Sequence, residues 1–258
     1  MTTGPMLIQG AMEVETDWLL SQLKHRQEKE VGGFSFWRGH CGKLELVVSR
    51  TGIGTIRCAA ATALGLAAFQ PCVVVNQGIA GAHREDLHVG DLVIGRSCIH
   101  IHDLKTPVRG VGEGSDPFAW EFHLHEEDQR AFPVYDADPD WAARFERAPY
   151  EGVKLSGRLG SGDVFNRETD RILWLRQRAG HLCEDMESAA AYEICDRFAT
   201  PCVGLRIISN NELTGEPYQR TVGQRLQRFV LAALENTEGS RVPGGTSAVT
   251  TAQGDARE

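Results

Sequence analysis

The chain has 258 residues, 41% hydrophobic and 24% charged, with a formal net charge of -8. That size and balance suit one large α/β domain or two small ones around a sizeable core, and the negative charge, with no basic stripe, argues against a nucleic-acid binder. No apolar run reaches the ~18 residues of a membrane-spanning helix, and residues 1–8 carry neither a basic stretch nor a signal-peptide core, so a cytoplasmic protein is expected.

Residues 6–9 read as a short apolar strand running into Gly10-Ala11-Met12, and 13–24 as a helix with Trp18, Leu19, Leu20 and Leu23 along one side. Residues 34–38 and 43–49 alternate like a hairpin pair. After Thr51-Gly52-Ile53-Gly54 comes an alanine-rich helix over 55–69. The continuous apolar run Cys72-Val73-Val74-Val75 then suits a strand buried on both faces, and 91–95 gives another strand. The stretch 105–140 is rich in charge, glycine and proline and holds Phe118, Trp120, Phe122 and Tyr135. It reads either as an excursion that covers a pocket or a dimer contact, or as a solvated insertion.

Regular structure resumes with strands at 154–159 and 202–209 and helices at 169–179, 186–199 and 221–235. Residues 237–258 turn to Gly, Ser, Thr and Pro and read as a disordered tail without a role in the chemistry. Strands alternating with helices imply a layered α/β domain over 1–236 with a largely parallel sheet, which binds ligands beyond the carboxyl ends of its strands.

The seven cysteines are scattered without a CxxC pair, which points to buried reduced thiols rather than a disulfide scaffold or zinc site. His100, His102 and Asp103 lack a further ligand at a suitable spacing, and alternation along a strand explains them; no metal or cofactor is expected.

Three segments carry the chemistry, each following a predicted strand. They are Gly10-Ala11-Met12-Glu13-Val14-Glu15, then Ser161-Gly162-Asp163-Val164-Phe165, and finally Glu184-Asp185-Met186-Glu187 with Arg206-Ile207-Ile208-Ser209-Asn210. On residue types alone, the acids of the first segment make a solvated helix turn, and Glu184, Asp185 and Glu187 favour a helix N-terminus electrostatically. A lone Phe165 belongs to the core. Taken together, in this order and spacing, the segments resemble the nucleoside phosphorylase/nucleosidase superfamily, and within it the 5'-methylthioadenosine/S-adenosylhomocysteine nucleosidases. The resemblance covers roughly residues 6–235 and implies a three-layer α/β/α phosphorylase/hydrolase-like fold with a central mixed sheet. It also implies a homodimer, a purine nucleoside as ligand, and cleavage of the N-glycosidic bond.

Residue by residue, the resemblance places Glu15 as the base that activates water and Met186 with Glu187 at the ribose hydroxyls. Phe165 stacks on the purine, and backbone groups of Asn166 meet the base edge. Asn76-Gln77-Gly78-Ile79-Ala80-Gly81 resembles a family turn whose glycines, Gly78 among them, permit close backbone approach. Arg206 and Ser209 fall on substrate-binding positions. Asn210 stands where members carry a catalytic aspartate. Such an aspartate protonates N7 of the departing adenine, whereas an amide has no proton to give up and offers only hydrogen bonds.

Two choices stay open on the sequence. A glutamate at the nucleophile position repels a phosphate dianion, and neither the first loop nor Ile79 offers a phosphate ligand, which favours water over phosphate. Arg50 and Arg206 remain as anion contacts, so a phosphate-dependent phosphorylase is the alternative. Asn210 in turn allows three explanations: protonation taken over by Glu212 or Asp163, a different base such as a 6-oxopurine, or a nucleoside-binding protein with weak turnover.

Overall fold

The computed structural model describes residues 4–114, 116–122 and 134–236, so the predicted tail, 237–258, lies outside the described residues. In chain order the elements are β1 (Met6–Gly10), α1 (Glu13–Gln22), β2 (Lys24–Val31), β3 (Phe34–Cys41), β4 (Leu44–Arg50), α2 (Thr55–Phe69), β5 (Val73–Ala82) and β6 (Leu92–His100). They continue with β7 (Leu104–Lys105), β8 (Glu121–Phe122), β9 (Val134–Asp136), α3 (Pro139–Arg147), β10 (Lys154–Ser161), α4 (Thr169–Ala179), β11 (His181–Asp185), α5 (Ser188–Arg197), β12 (Cys202–Asn211) and α6 (Gly223–Glu235).

The main sheet runs β11-β10-β6-β12-β5-β1-β4-β3-β2, with β9 added on β6. It is mixed. β4, β1, β5 and β12 lie parallel in turn, as do β6, β10 and β11, and the two sets meet antiparallel where β12 pairs β6. The expectation of a largely parallel sheet therefore needs correcting, and the mixed sheet implied by the resemblance is the one found. β11 turns back to pair antiparallel with β5, which closes that end of the sheet on itself. The opposite end stops at β2, whose Lys-His-Arg-Gln-Glu-Lys-Glu-Val run is exposed almost throughout.

The central strands are buried because both faces are covered: α6 packs with α1 and α3, α2 packs with α5, and the sheet lies between. Leu7, Ile8, Val73, Val74, Val75, Val203, Leu205 and Ile207 are closed to solvent. Burying apolar side chains of this size contributes about 1.5–3 kcal/mol each. Six of the seven cysteines are buried in this core, and burial pushes the Cys58 and Cys183 thiols well above their ordinary value.

Several boundaries differ from the sequence reading. α1 ends at Gln22, and the next residues form β2; its polar composition hides it, since an edge strand open to water has no apolar face to reveal. The Asn76–Gly81 segment is not a turn but the second half of β5, which runs on to Ala82. β11 is too short and polar for its pattern to show, and α5 starts at Ser188, leaving Met186 and Glu187 in the approach to the helix. Part of the predicted excursion falls among the described residues. Leu104, Trp120, Phe122 and Val134 pack on Ile99, Ile101, Trp174 and Leu175, a small apolar cluster apart from the main core.

Candidate active site

A cavity of about 290 Å³ opens at the carboxyl ends of β1, β5, β11 and β12. Glu15, Phe165, Met186, Glu187, Ser209 and Asn210 all line it, together with Ala11, Met12, Ile53, Ile79, Ala80, Gly81, Glu184, Asp185 and Tyr218. Six of the residues expected from the sequence thus converge. Gly78, Asn166 and Arg206 are not among the lining residues.

Glu15 occupies the first turn of α1 and is buried. Its Oε2 accepts the Ala11 and Met12 N–H groups at 2.6 and 2.9 Å, and its Oε1 accepts the Ile79 N–H at 2.9 Å. Burial pushes its carboxyl up, opposed by the Ile79 N–H and by the charge of Arg206. Gly78 explains its own identity here: a Cβ at that position would lie 2.7 Å from Glu15 Oε1. Its role is to leave room for the carboxylate.

Glu187 precedes α5, and its Oε1 accepts the Gly54 N–H at 2.9 Å. Burial raises its carboxyl to about 8, helped by the negative neighbours Asp185 and Glu15 and opposed by Arg206. Asp185 accepts Glu187 and Ser188 N–H groups at 2.8 and 2.7 Å and the Ser161 hydroxyl at 2.9 Å, which fixes the β11–α5 corner. Burial alone would push Asp185 up, but Arg206 and the Ser188 bonds outweigh it and hold it below the usual value.

Arg206 is 1% exposed. Its Nε pairs with Asp185 Oδ2 at 3.0 Å, and one terminal nitrogen donates to the carbonyls of Asn76 and Leu205, each at 2.9 Å. Buried at this depth and absent from the cavity lining, Arg206 acts on the site through its charge, so the expected substrate contact gives way to a supporting role. Arg50, the other anion candidate, is turned to Glu13, Asp17 and Thr16.

At the other end, Phe165 is 51% exposed and presents its ring to the cavity mouth. Asn166 instead turns inward: its backbone N–H donates to Glu184 Oε1 at 2.9 Å and its side-chain amide donates to Glu184 Oε2. Asn210 Oδ1 accepts the Ser209 hydroxyl at 2.9 Å, while its Nδ2 donates to Glu212 Oε1 at 3.3 Å. Asp163 is held by the Thr55 N–H and hydroxyl at the start of α2. Of the two acids considered as substitutes for a proton donor, only Glu212 touches Asn210.

Ile53, Glu184 and Tyr218 are lining residues that the sequence reading did not assign. Ile53 and Tyr218 sit in loops without a periodic signal. Among the described residues, no group of three or more His, Cys, Asp or Glu is arranged to hold a metal ion, and no helix is long and apolar enough to cross a membrane.

Comparison with known proteins agrees with this geometry. The phosphorylase superfamily profile matches residues 5–237. A 5'-methylthioadenosine/S-adenosylhomocysteine nucleosidase of Geobacillus kaustophilus is 32% identical over 235 residues, spanning 87% of this chain and 94% of that protein. The enzyme of the same name from Geobacillus thermodenitrificans is 31% identical over the same shares of both chains. Among solved structures, the Streptococcus pyogenes S-adenosylhomocysteine nucleosidase in complex with 5-methylthiotubericidin superposes with a TM-score of 0.77 at 24% identity, covering 92% of this chain and 98% of that one.

Proposed function

The chain belongs to the phosphorylase superfamily and, within it, to the 5'-methylthioadenosine/S-adenosylhomocysteine nucleosidases, and from that premise we propose that it hydrolyses the N-glycosidic bond of 5'-methylthioadenosine, S-adenosylhomocysteine or a related adenine nucleoside. The observation that carries hydrolysis over phosphorolysis is the charge of the cavity. Its described lining includes Glu15, Glu184, Asp185 and Glu187 and no Lys, Arg or His. A phosphate dianion entering this site finds no cationic side chain on the described lining to balance its charge, whereas water needs none.

Each step has a group to perform it. A carboxylate offers about four acceptor positions; three of those on Glu15 take backbone N–H groups, and the last holds and deprotonates the attacking water. Glu187 accepts the ribose hydroxyls and places negative charge beside the sugar cation as it develops. Phe165 stacks on the purine. Asn210 hydrogen-bonds the departing base without protonating it, which leaves general-acid assistance worth about 10²–10⁴-fold unused. A homodimer working in the cytoplasm, with a catalytic domain over 1–236 and a dispensable tail, completes the proposal.

The test is base release from 5'-methylthioadenosine, S-adenosylhomocysteine and adenosine, with and without phosphate. Phosphate-independent release, abolished in Glu15→Gln, is the expected result. Release that requires phosphate would replace the hydrolase with a phosphorylase, and binding with no release from any substrate would make this a nucleoside-binding protein. Sedimentation gives the oligomeric state, and truncation after Asn236 should leave turnover unchanged.

A further inference from the structure

Behind Arg206 lies a run of buried polar side chains that the reaction above does not use. Gln9 of β1 and Asn76 of β5 are partners in the sheet, and residues directly opposite each other carry their side chains on the same face. Thr62 of α2 meets them there. Asn76 pairs on its other side with Gly204, and Arg206, two residues further along β12, falls on that same face. Gln9, Thr62 and Asn76 are all buried, and none of them lines the cavity.

The hydrogen bonds among them have a single sense. A guanidinium only donates, and a backbone carbonyl only accepts. Arg206 donates to Asn76 Oδ1, so the Asn76 amide nitrogen faces the other way and donates to Gln9 Oε1 at 3.4 Å and to Cys58 Sγ at 3.6 Å. The Gln9 amide nitrogen donates in turn to the Thr62 hydroxyl at 3.1 Å. Thr62 has one proton to give, and the Cys58 carbonyl takes it at 2.7 Å, closer than Gln9 Oε1 at 3.1 Å. Every link thus runs one way, from the cation to an obligate acceptor on α2. Both amide carbonyls are turned toward the guanidinium, so their dipoles favour its charge, and aligned bonds of this kind strengthen one another. Apolar residues of the same shape would fill this part of the core at little or no cost, so packing gives no reason for the chain.

The chain ends at the charge on which the acids of the site depend. Glu15 on α1, Asp185 on β11 and Glu187 ahead of α5 all feel Arg206 and are lowered by it. The thiols of Cys58, Cys98, Cys183 and Cys202 and the Tyr192 phenol, which feel it too, are raised by burial and carry no charge near neutrality. We propose that Thr62, Gln9 and Asn76 are positioning residues, a one-way hydrogen-bonded chain from α2 that fixes the Arg206 guanidinium against Asp185 and thereby the field in which Glu15 and Glu187 work. α2 then reaches the site twice, because Gly54 at its start also donates to Glu187. What that field does rests on the nucleosidase reading above; the chain itself does not.

Thr62 gives the sharpest test, because two substitutions oppose each other. Thr62→Val keeps the volume and removes the hydroxyl, whereas Thr62→Ser keeps the hydroxyl and removes a methyl. Adenine release from 5'-methylthioadenosine by the full chain is followed across pH. In Thr62→Val kcat should fall about fivefold, the effect of about one hydrogen bond, with KM little changed and the acid limb of kcat/KM moved to higher pH. Thr62→Ser should match the wild type in both respects. Gln9→Met, which breaks the chain one link nearer to Arg206, should do at least what Thr62→Val does. An unchanged kcat and acid limb in folded Thr62→Val and Gln9→Met overturns the proposal, and an equal loss in Thr62→Ser assigns the effect to packing and overturns it as well. NMR of the Arg206 guanidinium protons, identified by their absence in Arg206→Lys, tests the chain without turnover. They should give separate, slowly exchanging signals in the wild type and Thr62→Ser and exchange faster in Thr62→Val. One averaged signal in the wild type overturns the chain even if no variant folds. The expected exchange pattern with no base released from any nucleoside upholds the chain and removes the hydrolase.

Discussion

Arg206 Nε lies 3.0 Å from Asp185 Oδ2, and both side chains are sealed from water. The acidic floor of the site is organised around this one cation: its charge also lowers Glu15 and Glu187, both of which remain raised by burial. Removing one partner of a buried pair leaves the other uncompensated, at a cost of about 3–5 kcal/mol. Arg206→Met should lose that much stability in urea melts and should move the acid limb of the kcat/KM profile to higher pH. Arg206→Lys keeps the charge but not the planar fork, and should restore the pH profile more fully than the stability.

Glu187 gives the pH dependence its sign. Its folded value, about 8, stands above the ordinary 4.5, so the protonated form stabilises the fold. That contribution is complete below the unfolded value and disappears as pH rises through about 8. Catalysis needs the opposite state, because an ionised carboxylate is what a sugar cation attracts. The kcat/KM of the free enzyme should therefore rise with pH across neutrality while Tm falls. Glu187→Gln should flatten the fall in Tm and reduce kcat by about tenfold or more. A Tm drop that persists in the variant assigns it to another group.

Asn210 is the simplest place to restore acid catalysis. An aspartate there would stand beside Glu212, whose Oε1 is 3.3 Å from the present Nδ2. Like charge at that range keeps one of two carboxyls protonated, which is the form that can give a proton to N7. Asn210→Asp should raise kcat on adenine nucleosides by about 10²-fold, read from adenine release at saturating substrate. An unchanged or lower rate would mean that the asparagine belongs to a rewired mechanism.

Gly78 should prove intolerant although it is not among the residues that line the cavity. In Gly78→Ala the new methyl meets Glu15 Oε1 at 2.7 Å, so the carboxylate must shift off the Ile79 N–H. Leaving that donor unpaired costs about 1–3 kcal/mol. kcat should fall with KM little changed, because the water base moves and the sugar clamp does not. A normal kcat would show that Glu15 can work from elsewhere.

The sequence was most legible where one local signal sufficed. The apolar runs of β1, β5 and β12 and the alanine-rich α2 stand at the predicted places, and six motif residues converge on one cavity. What it hid depends on partners far along the chain. Arg206 is as polar as any surface arginine until Asp185 and Asn76 close around it. Asn166 looked like a base contact until Glu184, eighteen residues on, took both of its donors. β2 was missed because its stabilising partner is β3, and nothing in its own residues asks for burial.

That same strand governs how the protein behaves in a crowded solution. With the far end of the sheet closed by β11 on β5, the outer edge of β2 has no strand partner among the described residues and stays open to a passing strand. What deters a second chain from adding there is the dense mixture of Lys24, Arg26, Glu28, Lys29 and Glu30 rather than any cover. Charge works as such a guard only while it is felt, and at about 1 M salt its reach shrinks to about 3 Å. Concentrated salt, a routine step in purification, is thus the condition under which this protein should begin to clump by its edge.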